Sequence, residues 1–112
     1  MSQDTTAFTN VERIAPRNIF GTQIRGRYAH GDQTTVGDVL LDADTVIPIH
    51  DHPHEQITYL LEGQMHFVVG EESMTMKPGD IAIIPGGVQH GGRTVSKCRV
   101  IDVFAPARDD YR

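Results

Sequence analysis

Turn-forming residues set the terms on which this chain can fold. Eleven glycines and six prolines among 112 residues cut it, from Phe20 onward, into short segments rich in Val, Ile, Thr, Tyr and Phe. Those side chains suit a pleated, half-buried surface. The spacing predicts strands over Gly21–Tyr28, Thr34–Leu41, Val46–His50, Ile57–Leu61, Gln64–Val69, Met74–Met76, Ile81–Ile84 and Ser96–Phe104. Lys77-Pro78-Gly79-Asp80 reads as a turn, and Pro85-Gly86-Gly87 ends the Ile81–Ile84 run, which is apolar throughout and predicts a strand buried on both faces. Thr9-Asn10-Val11-Glu12 has the form of a capping box, but Pro16 closes any helix within two turns. No apolar repeat at helical spacing persists for three turns, so the fold class is all-β. Many short strands in so small a chain favour a closed barrel or a jelly roll over an open sheet with long bare edges.

Length and charge narrow the function. A chain of 112 residues holds one compact domain; residues 1–20 are expected to be flexible or only partly ordered and residues 21–112 to form the domain. Met1–Thr6 is polar, lacks the order of a secretory signal and reads as a frayed start. Fifteen acidic against ten basic side chains give a formal charge of −5, with no basic stretch, which argues against nucleic acid or an anionic membrane as partner. Apolar runs stay far below the ~20 residues of a membrane span. Cys98 is the single cysteine, so no intrachain disulfide can form and a cytoplasmic location is expected.

Alternation orients the last strand. Ser96, Cys98, Val100, Asp102 and Phe104 share one face, and Val95, Lys97, Arg99, Ile101 and Val103 the other. Two cations cannot point into a small barrel, so the first set faces inward and carries Asp102 with it. A carboxylate among apolar neighbours must be paired, protonated or useful.

The chemistry concentrates in the histidines, of which three of six fall within His50–His54. His50 and His52 are two apart, so an extended chain projects both imidazoles from one face, the geometry of two cis ligands to one metal ion. Gln56 keeps the same parity and offers a carbonyl oxygen; His54 shares that parity and competes with it. A hydrogen-bonded pair or surface histidines would explain His50 and His52 equally well. The balance shifts with Gly79, Pro85, Gly87 and His90, which add a buried strand, a tight turn and a third imidazole. His66, between Met65 and Phe67, reads as a satisfied barrel histidine, and Met65, Met74 and Met76 as core filler. His30 falls outside both clusters.

These two clusters resemble the cupin motifs G-x5-H-x-H-x3,4-E-x6-G and G-x5-P-x-G-x2-H-x3-N. The first reads here as Asp44, His50, His52, Gln56 and Gly63, and the second as Gly79, Pro85, Gly87, His90 and Thr94. Three positions depart: Asp44 for Gly, Gln56 for Glu and Thr94 for Asn. Asp tolerates the left-handed turn a Gly would take, whereas a neutral amide at Gln56 replaces an anionic ligand. The resemblance implies a double-stranded β-helix with one divalent transition metal ion (nickel, zinc, iron, manganese or cobalt) held by His50, His52, Gln56 and His90. Such a neutral shell leaves the full charge on the ion. That strengthens it as a Lewis acid and makes it a less obvious home for oxygen-activating iron.

His50-Asp51-His52-Pro53-His54-Glu55-Gln56, with the tail Asp102-Val103-Phe104-Ala105-Pro106-Ala107-Arg108-Asp109-Asp110-Tyr111, further resembles the small pectin-degradation cupins of the KdgF type. That resemblance implies conversion of 4,5-unsaturated monouronates to linear 4-deoxy-5-keto-uronates, with Asp102 as catalytic acid/base and Phe104 and Arg108 lining the substrate site. The implied partner is a small anionic sugar acid. Other metal-dependent cupin chemistry, a dioxygenase or a sugar isomerase, shares the motifs, as does a non-catalytic ligand-binding module. Outward-facing Ile101 and Val103 need a cover, and a homodimer would supply it.

Overall fold

The computed structural model describes residues 7–112, so the expected fraying of Met1–Thr6 lies outside the described residues. Among the described residues ten strands form: β1 (Arg17–Asn18), β2 (Ile24–His30), β3 (Thr35–Leu41), β4 (Val46–His50), β5 (Glu55–Glu62), β6 (Met65–Val69), β7 (Glu72–Met76), β8 (Ile81–Ile84), β9 (His90–Thr94) and β10 (Cys98–Ala105). They make two antiparallel sheets, ordered β1-β2-β3-β10-β5-β8 and β4-β9-β6-β7. The all-β jelly roll expected from the turn spacing is present; the two sheets face each other and do not close into one continuous barrel. No helix among the described residues is long and apolar enough to cross a membrane.

Period-two alternation builds the interior. In β3 the inward residues Thr35, Gly37, Val39 and Leu41 are buried while Val36 and Leu40 are exposed. β10, an interior strand of the large sheet, turns Cys98, Val100 and Phe104 into the core and Arg99, Ile101 and Val103 outward, as the Arg99 cation requires. Register then stacks residues into rows across the large sheet. Tyr28, Gly37, Asp102 and Thr58 form one row, and His30, Thr35, Phe104, Gln56 and Ile84 the next. Leu60, Met65, Phe67, Met76 and Val100 close the core between the sheets.

Several local expectations need correction. The first long strand begins at Ile24, because Phe20 and Gly21 take positive φ (53° and 107°) and turn the chain. The last begins at Cys98, because Ser96 serves the preceding turn, its hydroxyl accepting from the Gln64 N–H at 3.0 Å. Ile81–Ile84 is not buried on both faces: β8 is a sheet edge, where Ile84 is buried but Ile81 and Ile83 are 53% and 64% exposed. Met74 is likewise exposed, and His66 lies on the outer surface, satisfied by Thr75 Oγ1 at 2.7 Å. The capping box is one turn of 3-10 helix, Val11–Arg13, capped by Asn10 accepting from the Glu12 N–H rather than by Thr9. β9 was concealed by Gly91-Gly92; a Cβ on Gly92 would lie 2.0 Å from the His66 carbonyl oxygen, so close strand approach excludes a side chain there. Ahead of residue 21, β1 pairs with β2, and Ile19 and Phe20 line the cavity described next.

Candidate metal centre and cavity

His50 ends β4 and His90 begins β9, and the two are paired directly across the small sheet. Their ring centroids lie 4.3 Å apart, and His52, two residues on, brings its ring to 4.9 Å from His90. One nitrogen from each falls within 4.8 Å of the others. Backbone carbonyls orient all three: the Nδ1 atoms of His50, His52 and His90 lie 2.7, 2.9 and 2.9 Å from the oxygens of Pro48, His54 and Val88. A carbonyl can only accept, so each Nδ1 carries the proton and each Nε2 keeps its lone pair for the shared space. Burial holds the His90 imidazole below its ordinary pKa, in the neutral form a ligand needs.

Gln56 completes the set. Its amide nitrogen donates to Thr58 Oγ1 at 2.9 Å and, longer, to Asp102 Oδ1 at 3.4 Å, which turns Oε1 toward His52 Nε2 at 2.9 Å. With Nδ1 carrying the proton, His52 Nε2 and Gln56 Oε1 present two lone pairs at a spacing that suits two ligands of one cation. His90 Nε2 is buried without a partner. An orphaned imidazole nitrogen, two further lone pairs and an amide oxygen fit a divalent transition metal. The cupin departures are accommodated. Asp44 adopts φ 55°, and Thr94, buried, accepts from the Thr45 N–H and donates to the Asp42 carbonyl, clamping the loop before β4.

His50 and His90 line a cavity of about 70 Å³, room on the order of five waters or one small ligand. Asp102 lines it, accepting from Thr58 Oγ1 at 2.6 Å. Burial raises its pKa from 3.8 to about 6, against the opposing pull of the Thr58 and Gln56 hydrogen bonds and of Arg108. Phe104 is buried, its ring 5.8 Å from that of His52. Arg108 is also buried, its guanidinium 4.8 Å from the Phe104 centroid and 4.0 Å from that of Tyr111. One edge of its fork is taken by Asp110, with Nε to Oδ1 at 3.0 Å and Nη2 to Oδ2 at 2.9 Å. Phe20 packs edge-on against His50 at 4.9 Å and forms part of the cavity wall.

His54 stays outside the triad, 5.5 Å from the His52 ring, with its Nδ1 buried and unpartnered. His30 contacts Thr35 Oγ1 and the Tyr111 carbonyl and holds the carboxyl-terminal turn in place. Thr58, Tyr28, Phe20 and Tyr111 line the cavity or its polar network without having been singled out. For Thr58 a signal existed, since it follows Gln56 by two residues on the same inward face.

A jelly roll that holds three imidazoles from an H-x-H pair and a facing strand over an internal cavity defines a cupin. Residues 37–104 match the cupin domain family, and the chain belongs to it. Within that family it is KdgF-like: the structure of KdgF from Halomonas sp. superposes with a TM-score of 0.87 at 27% identity, covering 96% of this chain and 100% of that one. An RmlC-like cupin from Shewanella frigidimarina shares the fold with a TM-score of 0.88 at 24% identity, covering 99% of this chain and all of the other. The dimethylsulfoniopropionate lyase DddQ of Ruegeria pomeroyi is 33% identical over 60 residues, 53% of this chain but 30% of the lyase, so the match spans under a third of that protein.

Proposed function

We propose that this cupin is a metal-dependent isomerase that opens 4,5-unsaturated monouronates, released by pectin or alginate breakdown, to linear 4-deoxy-5-keto-uronates. The observation that carries the reading is Asp102, tied through Thr58 and Gln56 to the histidine cluster in a cavity of monomer size. The substrate is a cyclic hemiacetal whose ring oxygen is also an enol-ether oxygen. Asp102 accepts the proton of the C1 hydroxyl; the C1–O5 bond breaks to give an aldehyde, and its electron pair leaves an enolate on O5. Asp102 returns the proton to C4, the enolate becomes a ketone, and atoms and charge balance with no co-reactant. A carboxyl group with a pKa near 6 is suited to both transfers close to neutral pH. His50, His52, His90 and Gln56 would hold a divalent ion, which would supply Lewis acidity to the site, and Phe104 walls the cavity. Arg108, part of its fork already on Asp110, adds positive charge beside the substrate carboxylate. The chain's charge of −5 repels such a substrate at long range, so attraction comes from within the cavity.

The protein acts as a homodimer in the cytoplasm on this reading. Val36, Val103, Ile57 and Ile83 form a cross-strand row on the outer face of the large sheet, with Tyr59 and Ile81 in the next. Such a patch calls for a second copy, and Cys98 remains a free, buried thiol. The test is elemental analysis of the purified protein followed by mixing with unsaturated monouronates. Loss of the conjugated enol-ether absorbance, abolished in Asp102→Asn with metal content unchanged, is the expected result. Full turnover in that variant refutes the role of Asp102. No reaction with pectin- or alginate-derived monomers, together with oxygen consumption, would move the site to dioxygenase chemistry.

A further inference from the structure

The cavity has a second polar element, in the sheet facing the histidines, that the acid/base scheme leaves unused. Tyr28 is 8% exposed and lines the cavity, yet its hydroxyl makes no hydrogen bond to any described residue. The ring lies flat against the large sheet because two inward positions beside it carry no side chain. A Cβ on Gly26 would sit 2.4 Å from the Tyr28 oxygen, and one on Gly37 2.4 Å from its Cε1. Real Cβ atoms do not approach so closely, so β2 and β3 are hollowed to fit this one phenol. Tyr111 packs on it at 4.7 Å between centroids.

The direction of the ring matters. Tyr28 shares its cross-strand row with Gly37 and Asp102, but its oxygen lies over Gly26, whose row continues through Val39, Val100 and Leu60. The hydroxyl therefore reaches the apolar floor, one row beyond the catalytic carboxylate. The hydroxyl is left to the cavity rather than to a protein partner, and a site that needed only ring area would be served by Phe. Apolar walls disfavour a charge at that depth. Burial and the Asp102 carboxylate hold the phenol far above its ordinary pKa, so it is a donor at every working pH.

We propose that Tyr28 is a ligand-binding residue whose O–H donates a hydrogen bond to an uncharged oxygen, hydroxyl or carbonyl, of a small polyhydroxylated acid whose anionic end lies toward the histidine triad and Arg108. The identity of that acid as a uronate rests on the proposed function; the contact with Tyr28 does not. Tyr28→Phe keeps the ring, the glycine hollow and the stack on Tyr111, and so keeps the fold and the metal site. With unsaturated monouronates, kcat/KM should fall at least 10-fold in Tyr28→Phe, with metal content and Tm unchanged. A purely structural tyrosine would lower Tm and leave kcat/KM alone. Activity within twofold of the parent overturns the proposal and leaves the uronate reading standing. Should the parent turn over no uronate, a crystal of the metal-loaded protein soaked with galacturonate decides the matter. A ligand oxygen within hydrogen-bond distance of Tyr28 Oη upholds the contact, and a ligand bound elsewhere, or not at all, overturns it.

Discussion

Replacing Asp102 with Asn should stabilise the metal-free protein at neutral pH while destroying its activity. The carboxyl group has its pKa raised from 3.8 to about 6, burial being the main cause. Holding it ionised in the fold therefore costs on the order of 3 kcal/mol relative to the unfolded chain, at ~1.4 kcal/mol per unit. The sign follows from the direction of the shift. Below the unfolded pKa the group is protonated in both states, and Asp and Asn behave alike. As the pH rises through about 6, the folded wild type loses stability that Asn keeps. Asn can still accept from Thr58 through its oxygen, so the 2.6 Å bond survives in neutral form. Urea unfolding of both proteins, stripped of metal by chelation, should be followed from pH 4 to 8. The difference in unfolding free energy should grow by about 2.4 kcal/mol between pH 4 and 7 and level off above. The pH dependence of all other groups cancels in that difference. A gap that does not change with pH would refute the argument that Asp102 is strained by burial.

Three further outcomes follow from the geometry. Gln56→Glu should tighten metal retention against a chelator while reducing turnover at least 10-fold, because the amide N–H that donates to Thr58 and Asp102 is replaced by a carboxylate; metal competition and steady-state rates check it. Gly63→Ala, at φ 91° with a Cβ placed 2.2 Å from the Lys97 carbonyl oxygen, should cost at least about 2 kcal/mol in urea unfolding. If the outer face of the large sheet carries the proposed homodimer, Ile83→Glu, on the exposed face of β8, should give a monomer in sedimentation where the parent gives a dimer, with little change in monomer stability, since that side chain is 64% exposed.

Much of the site could be read along the chain because its determinants are local. His50 and His52 share a face through strand alternation alone, and His90 follows a tight turn at a fixed distance. The inward direction of Asp102 came from a parity argument, Lys97 and Arg99 having to point out, and the burial pattern of β10 agrees. Asp44 takes the left-handed turn its residue type permits. Other features turned on neighbours far away in sequence. Ile81 and Ile83 look like core residues until the topology places β8 at a sheet edge. Gly91-Gly92 look like strand breakers until β4 is seen pressing on Gly91 and β6 on Gly92.

By itself, then, the sequence determined an all-β jelly roll with a three-histidine cluster and an inward carboxylate, since turn chemistry and side-chain alternation act over a few residues. Tertiary structure decided which lone pairs face each other, that Thr58 links Gln56 to Asp102, that Arg108 shares its fork with Asp110, and that Gly26 and Gly37 hollow the floor for Tyr28. The Thr58–Asp102 link and the Gly37 hollow are cross-strand facts, set by the register between strands, and the Arg108–Asp110 pair depends on how the carboxyl-terminal turn packs over the cavity.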